Sequence, residues 1–523
     1  MSFQWITPYS VRIAVAGAGT MGSGIALAAL LADIPVTLFD ISPEMLDRAS
    51  AYIQSHLERK NKAQNLVYLT QTVQLEELVG ANVVIEAIPE DLKLKQDLFR
   101  RLDGICPPPA ILATNTSTLP VTTIAAATAH PGRVAGMHFF NPAPVLPLVE
   151  VVPAAQSRPE TVQTLLTLAE KLGKTAVVAT DTPGFIVNRV ARPFYGEALR
   201  LLGDGIATHE QIDQIVRLGA GFRMGPFQLM DLIGIDVNLA AMRLMFEQTF
   251  GEARYRPHPI QVRMVAQNSL GRKTGKGFYD YTGEPASEPT IPKARQCNEM
   301  IILGAGSWAP GLSEVAHKAG YKVQNGGYTQ ETFYPKIAIL PAGRKESLRK
   351  KLIEMDILMP ASMPILCQTA DVTLTEAATW IERPERLVGF DGLFFAGGHI
   401  ATLVASPTLT LQARLTMEGF ITSLGRLPLW IQDSPALVLP RVVGMLINEA
   451  AFAVQEGVAS ADHIDLAMQL GVSYPHGLLT WAKEIGYAHV VDVLDHLYNE
   501  FRDERYRAAY LLRRWARLEQ VKG

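Results

Sequence analysis

The chain has 523 residues, 48% of them apolar, with a formal net charge of −3. That length exceeds one compact core and predicts about three or four domains at ~150 residues each, while the near-neutral balance argues against nucleic acid or an anionic membrane as partner. The cysteines, Cys106, Cys297 and Cys367, are odd in number and far apart, which argues against a disulfide framework or a CxxC metal site and fits a reducing compartment.

The first predicted element is the apolar run that begins VRIAVAGAGTMGSGI (11–25). A strand turns through Gly17, Gly19, Thr20, Met21 and Gly22 into a helical stretch from Ser23 to Ala32. This is the strand–glycine loop–helix order of a dinucleotide site. Gly17 suits the tight turn, Gly19 a close approach of the backbone to a pyrophosphate, and Gly22 close helix–strand packing. The helix N-terminus offers N–H groups to phosphate. A second apolar run, 35–39, ends at Asp40, whose carboxylate would accept from a ribose and repel a 2′-phosphate. The cofactor expected is therefore NAD rather than NADP.

Further strands are predicted at 82–86, 110–114, 133–138, 147–152 and 175–180, with helical patterns between them. That alternation implies a parallel, doubly wound sheet. Arg59, Lys60 and Lys62 fit either a solvated helix face or a phosphate contact, and Lys93 and Lys95 either cofactor contacts or a solvated helix face. ATNTSTLP (113–120) follows an apolar run; its hydroxyls and Asn115 fit either ligand contacts or a helix N-cap. His138 ends a predicted strand, where ligands gather in open α/β sheets. Glu150 lies in the next strand, among valines and leucines, where an acid is costly unless paired. His138 is a plausible partner, and such a pair would orient the imidazole and stabilise its charged form; taken singly, His138 also fits a structural histidine and Glu150 a solvated outward position. From Pro183 onward helices dominate, with Gly205 and Gly219 as expected breaks. Asn188 sits inside PGFIVNRV, where a buried Asn needs partners, either a ligand or a neighbouring segment.

The chain also repeats itself. A shift of 252 lays Asp181–Gly234 on Asp433–Gly486 without a gap, with 15 identities in 54 positions. Upstream, HPGRVAGMH (130–138) matches RPERLVGFD (383–391), and VRIAVAGAGTMGSG matches EMIILGAGSWAPG from Glu299. In this alignment Gly17 and Gly19 meet Gly304 and Gly306, Gly22 becomes Ala309 and Asp40 becomes Gly327. His138 becomes Asp391, Glu150 falls at about Leu403, Ser117 at about Asp371, and Asn188 on Pro440. Every position expected to carry chemistry has changed type, so the second half reads as a degenerate copy. The expected division is a NAD-binding domain at 1–182, a helical domain at 183–283, a Pro-rich linker at 284–297, a degenerate α/β domain at 298–433 and a second helical domain at 434–523.

GAGTMG, Asp40, EAIPEDLKLK (86–95), NTS (115–117), HFFNP (138–142), Glu150, PGFIVNR (183–189), GFRMGPF (221–227) and GRKTGKGFYDY (271–281) together resemble the 3-hydroxyacyl-CoA dehydrogenase family. The whole layout is similar to its long bacterial members, of the 3-hydroxybutyryl-CoA or 3-hydroxyadipyl-CoA type. The resemblance implies a Rossmann domain followed by an all-α domain, with that pair repeated in degenerate form. It implies reversible NAD-dependent oxidation of an (S)-3-hydroxyacyl-CoA to the 3-oxoacyl-CoA. By resemblance His138 is the base, Glu150 its dyad partner, and Ser117 and Asn188 hold the substrate. Asn141 supports the centre, and Glu90 and Lys95 contact the cofactor. No metal is implied. Family relatives with one repeat pair through their helical domains, so the two halves are expected to form an internal pseudo-dimer, with further self-association open. Two other readings are an NAD enzyme acting on a free β-hydroxyacid and a non-catalytic NAD-binding protein. The opening residues lack a signal-peptide layout and no apolar stretch is long enough for a bilayer, so a cytoplasmic place is expected.

Overall fold

The computed structural model describes residues 11–283, 288–304, 309–325, 337–340 and 345–522. Two compact units divide the chain. One runs to Val190 and includes Ala453–Gly477; the other comprises Ala191–Phe452 and Leu478–Gly523. Each unit therefore holds a segment from both halves of the sequence.

The first unit is built on an eight-stranded sheet: β1 (Ile13–Ala16), β2 (Val36–Phe39), β3 (Leu69–Thr72), β4 (Val83–Glu86), β5 (Ile111–Thr114), β6 (Val134–Phe139), β7 (Leu148–Pro153) and β8 (Thr175–Val178). Their order is β3-β2-β1-β4-β5-β6-β7-β8. The order of strand addition reverses between β1 and β4, and ligands of such sheets lie outside the carboxyl ends of the strands there. Seven of the eight strands were expected. β3 is the polar edge strand LTQT, which lacks the apolar pattern that marks a buried strand.

The sheet departs from the wholly parallel expectation at one place. β6 and β7 pair antiparallel, while the other adjacent pairs are parallel. Residues 140–147 join them, too few for the crossover of about a dozen residues that a parallel pair requires. The core lies where the helices Thr20–Leu31, Pro43–Arg59 and Pro159–Lys171 cover the sheet with Ile25, Leu30, Ile53 and Leu165. From the second half, the helix Ala461–Val472 packs on β7 and β8.

Among its described residues the second unit holds a seven-stranded sheet: β9 (Met300–Leu303), β10 (Lys322–Asn325), β11 (Ile337–Leu340), β12 (Ile365–Gln368), β13 (Leu387–Phe390), β14 (Ile400–Ala405) and β15 (Leu427–Ile431). Its order, β10-β9-β11-β12-β13-β14-β15, again has one antiparallel pair, β13 with β14. The helix His209–Ala220, from the first half, packs on β14. Gly219 is not the expected helix break. It lies inside that helix, which ends at Gly221 with φ 77°.

Two cross-pairs join the helical segments within this unit. Tyr255 Oη donates to Glu449 Oε1 at 2.6 Å, and Tyr506 Oη donates to Glu197 Oε2 at 3.0 Å. Arg254 and Arg441 reach the same two carboxylates, each at 2.8 Å. Among the described residues no helix is long and apolar enough to cross a membrane.

The strand registers refine two positions of the repeat alignment. Gly136 pairs with Val152 and Gly389 with Val404, so the counterpart of Glu150 is Thr402 rather than Leu403. Leu112 pairs with Val134 and Ile365 with Leu387, so Ser117 corresponds to Ala370 rather than Asp371. Gly306 and Gly327 lie outside the described residues, as does part of the expected linker.

Candidate active site

The glycine loop leaves β1 at Gly17, whose φ of +111° suits glycine. A Cβ on Gly22 would lie 1.8 Å from the Gly17 carbonyl oxygen, so only glycine lets the helix start this close to the turn. A Cβ on Gly19, by contrast, would meet nothing within 4 Å. The helix Thr20–Leu31 begins at Gly19 with no side-chain cap on its first N–H groups. Open space in front of uncapped N–H groups suits a pyrophosphate. Asp40, half-buried at the end of β2, accepts from Ala18 N at 2.7 Å and from Ser42 N at 3.0 Å. One oxygen thus braces the loop, and each keeps lone pairs for a ribose hydroxyl. These residues fit NAD.

His138 and Glu150 occupy directly opposed positions on β6 and β7. Directly opposed residues point to the same face of a sheet. Here His138 Nδ1 lies 2.7 Å from Glu150 Oε2, with the glutamate fully buried and the histidine 6% exposed. An ionised carboxylate can only accept, so Nδ1 is the donor of this pair, and in a neutral imidazole Nε2 would then present the lone pair. The second carboxylate oxygen, Oε1, accepts from Ile186 N at 3.1 Å and Val187 N at 3.0 Å. Phe140 and Phe185 flank the imidazole with ring centroids at 4.5 and 6.0 Å. Asn115 Oδ1 accepts from Phe139 N at 2.8 Å and so ties the strand beside His138 to the end of β5.

A second cluster, around the exposed Glu90, closes the loop after β5. Glu90 Oε1 accepts from Thr116 Oγ1 at 2.6 Å, Ser117 N at 2.9 Å, Ser117 Oγ at 3.3 Å and Thr118 N at 3.1 Å. Desolvation alone would raise the Glu90 carboxyl, but Lys95 and these donors outweigh it and hold it below its ordinary value. Lys95 is 1% exposed and directs its ammonium at Glu86 Oε1 (2.5 Å), Glu90 Oε2 (3.2 Å) and the Ile88 carbonyl (3.2 Å). All three of its protons have partners within the protein, so this geometry makes it a support for Glu90. Glu86 was legible only as the acid closing β4, yet it also accepts from Thr114 Oγ1 at 2.7 Å.

Asn188 Nδ2 reaches the Ser117 carbonyl at 3.5 Å, so these two predicted residues meet. Thr20 is exposed and Met21 half-buried at the tip of the glycine loop. Asn141 is exposed three residues beyond His138. Lys62 bonds to Asp33 and the Leu31 carbonyl, as a structural side chain does. Among the described residues no group of three or more His, Cys, Asp or Glu side chains is placed to hold a metal.

The family model for the 3-hydroxyacyl-CoA dehydrogenase NAD-binding domain matches residues 12–182. The model for the C-terminal domain of that family matches twice, at 184–281 and 437–522. The 3-hydroxyadipyl-CoA dehydrogenase of Escherichia coli (strain K12) is 37% identical over 516 residues, 97% of this chain and 98% of that protein. A probable 3-hydroxybutyryl-CoA dehydrogenase of Bacillus subtilis (strain 168) is 44% identical over 281 residues, 52% of this chain and 97% of that protein. The crystal structure of 3-hydroxybutyryl-CoA dehydrogenase from E. coli K12 superposes with a TM-score of 0.82 at 35% identity, covering 98% of this chain and 100% of that one. A glycine loop shaped for NAD, two copies of the family's helical domain and end-to-end similarity at this level place the chain in the 3-hydroxyacyl-CoA dehydrogenase family of NAD-dependent oxidoreductases.

Proposed function

We propose that the chain oxidises (S)-3-hydroxyacyl-CoA to 3-oxoacyl-CoA, reversibly, at one working site in its first half. The observation that carries this reading is the opposed His138–Glu150 pair, with Nδ1 at 2.7 Å from the carboxylate. Neutral His138 takes the proton of the C3 hydroxyl at Nε2. Glu150, fixed by its bonds to Ile186 and Val187, holds the ring in that tautomer and stabilises the imidazolium that results. NAD, when bound, supplies the hydride acceptor. Ser117 and Asn188 hold the substrate, Asn141 supports the centre, and Glu90 and Lys95 fix the loop that borders it.

The second half is degenerate in this reading. Its residues at the dyad positions are Asp391 and Thr402, and Pro440 stands for Asn188. We assign the five segments 1–182, 183–283, 284–297, 298–433 and 434–523 as domains and linker, supported by the boundaries of the family matches. The reciprocal Tyr255–Glu449 and Tyr506–Glu197 bonds support an internal pseudo-dimer, a fused counterpart of two paired subunits. A cytoplasmic place fits the odd, dispersed cysteines.

The test is turnover of His138→Gln with acetoacetyl-CoA and NADH. It should lose most of kcat and keep its NADH affinity; retention of more than about a tenth of wild-type activity would reject the role. Free acetoacetate as substrate separates the CoA reading from a free-acid dehydrogenase. A series of 3-oxoacyl-CoA chain lengths, one of them dicarboxylic, reads the substrate class.

A further inference from the structure

The dyad carboxylate is held by a turn, and the turn is held by the other half of the chain. Ile186 and Val187 aim their N–H groups at Glu150 because Gly184 and Phe185 just before them are both left-handed, with φ of 75° and 48°. A phenylalanine there costs about 1–2 kcal/mol, so surrounding structure must impose the turn.

What surrounds it comes from residues 453–477. The helix Ala461–Val472 packs on Val187–Val190 and on β7. Its contact residue is Gly471. A Cβ there would lie 2.7 Å from Leu148 Cδ2 and 3.1 Å from Val187 Cγ2. Val187 donates to Glu150, and Leu148 lies two residues before Glu150 on the same face of β7. Leu148 is fully buried, so its methyl cannot swing out into solvent. Three further bonds fasten the same segment. Arg189 Nη2 meets Glu456 Oε2 at 2.6 Å, Thr180 N donates to the Val458 carbonyl at 2.8 Å, and Thr180 Oγ1 donates to the Gly457 carbonyl at 2.8 Å.

We propose that Gly471 and Glu456 are positioning residues for the His138–Glu150 dyad, so that the degenerate half completes the working site. This rests on the dyad being the catalytic pair. Gly471 allows the helix close enough to press Val187 onto the carboxylate, and Glu456 fastens Arg189, beside Asn188. Retention of a second half without chemistry of its own follows from that task.

The repeat supplies an internal control. Gly219 is the counterpart of Gly471, 252 residues earlier. A Cβ on it would lie 2.5 Å from Leu439 Cδ1 and 3.3 Å from Ile400 Cγ2. Leu439 and Ile400 are the counterparts of Val187 and Leu148, but the strand pair beside them carries Asp391 and Thr402 instead of a dyad. The same methyl group added at either glycine therefore makes the same kind of clash, beside a dyad in one case only.

Gly471→Ala and Gly219→Ala in the full chain should lose similar amounts of thermal stability. Gly471→Ala should lower kcat by about 5–30-fold with KM for NADH within twofold, because sub-ångström displacement of catalytic groups acts on rate before binding. Gly219→Ala should keep kcat within twofold of wild type. Glu456→Gln, which adds no bulk, should lower kcat about 2–5-fold with an unchanged melting temperature, and decides the matter if Gly471→Ala does not fold. Equal kcat in the two glycine variants, a loss confined to KM, or wild-type kcat in Glu456→Gln would overturn the proposal. His138→Gln run alongside keeps the two readings apart. Activity in that variant removes the dyad itself, whereas an inert His138→Gln with indistinguishable glycine variants removes only the positioning role.

Discussion

Lys95 Nζ lies 2.5 Å from Glu86 Oε1, and both side chains are buried from solvent. The pair joins the helix Leu92–Ile105 to the end of β4, and through Glu90 it reaches the loop carrying Ser117. A buried ion pair is a poor source of net stability, because desolvation offsets attraction. Its removal by halves is nevertheless costly, since the remaining charge has no water to turn to.

Lys95→Met should therefore destabilise the protein by about 3–5 kcal/mol, read as a fall in the denaturant midpoint. Lys95→Met combined with Glu86→Gln should recover part of that loss. If the single and double variants melt together, the pair is not coupled and the loop is held by other means.

Glu150→Gln preserves shape and still offers an oxygen to Ile186 and Val187, but removes the charge beside His138. We expect kcat to fall about 10–100-fold with little change in KM for NADH. Stopped-flow comparison of NADH binding with steady-state turnover separates these effects, and an unchanged kcat would show that the carboxylate is dispensable.

Asp40 accepts from the glycine loop, and we propose it as the acceptor for a ribose hydroxyl of the cofactor. Asp40→Ala should raise KM for NADH by roughly tenfold or more through the loss of one charge-assisted hydrogen bond. NADPH should lose less, because the charge that repels its 2′-phosphate is also gone. The ratio of kcat/KM for the two cofactors reads this directly, and a ratio unchanged from wild type would place the ribose elsewhere.

Asp391, at the position of His138 in the repeat, is buried, and burial pushes its carboxyl up to about 7 despite bonds from Leu393 N and Phe394 N. Between the ordinary carboxylate pKa near 4 and about 7, the folded state holds a proton that the unfolded state has released. Stability then declines as pH rises through this window and levels off above it. Asp391→Asn should melt close to wild type near pH 4 and be more stable at pH 8 by roughly 1–3 kcal/mol. A pH-independent difference would mean that Asp391 is charged in the folded protein throughout.

Much of this protein was legible as residues in order. The GAGTMG turn, the acid after β2 and the apolar strands follow from local backbone chemistry, because glycine conformations and strand patterning are short-range properties. The 252-residue repeat was legible for the same reason, as was the pairing of His138 with Glu150, since an acid among valines demands a partner. The polar edge strand β3 was not, because it is held by pairing with β2, distant in sequence, and not by an apolar pattern of its own; the antiparallel turn of β6 onto β7 was written only in the shortness of the 140–147 connection. Tertiary structure alone decided that Lys95 turns inward to Glu86 and that Gly219 packs a helix rather than ending one. It also decided that Gly471, hundreds of residues beyond Glu150, borders the turn that holds it. Spacing along a chain reports which groups are available; burial and close packing, which sum over the whole fold, select the partner each one meets.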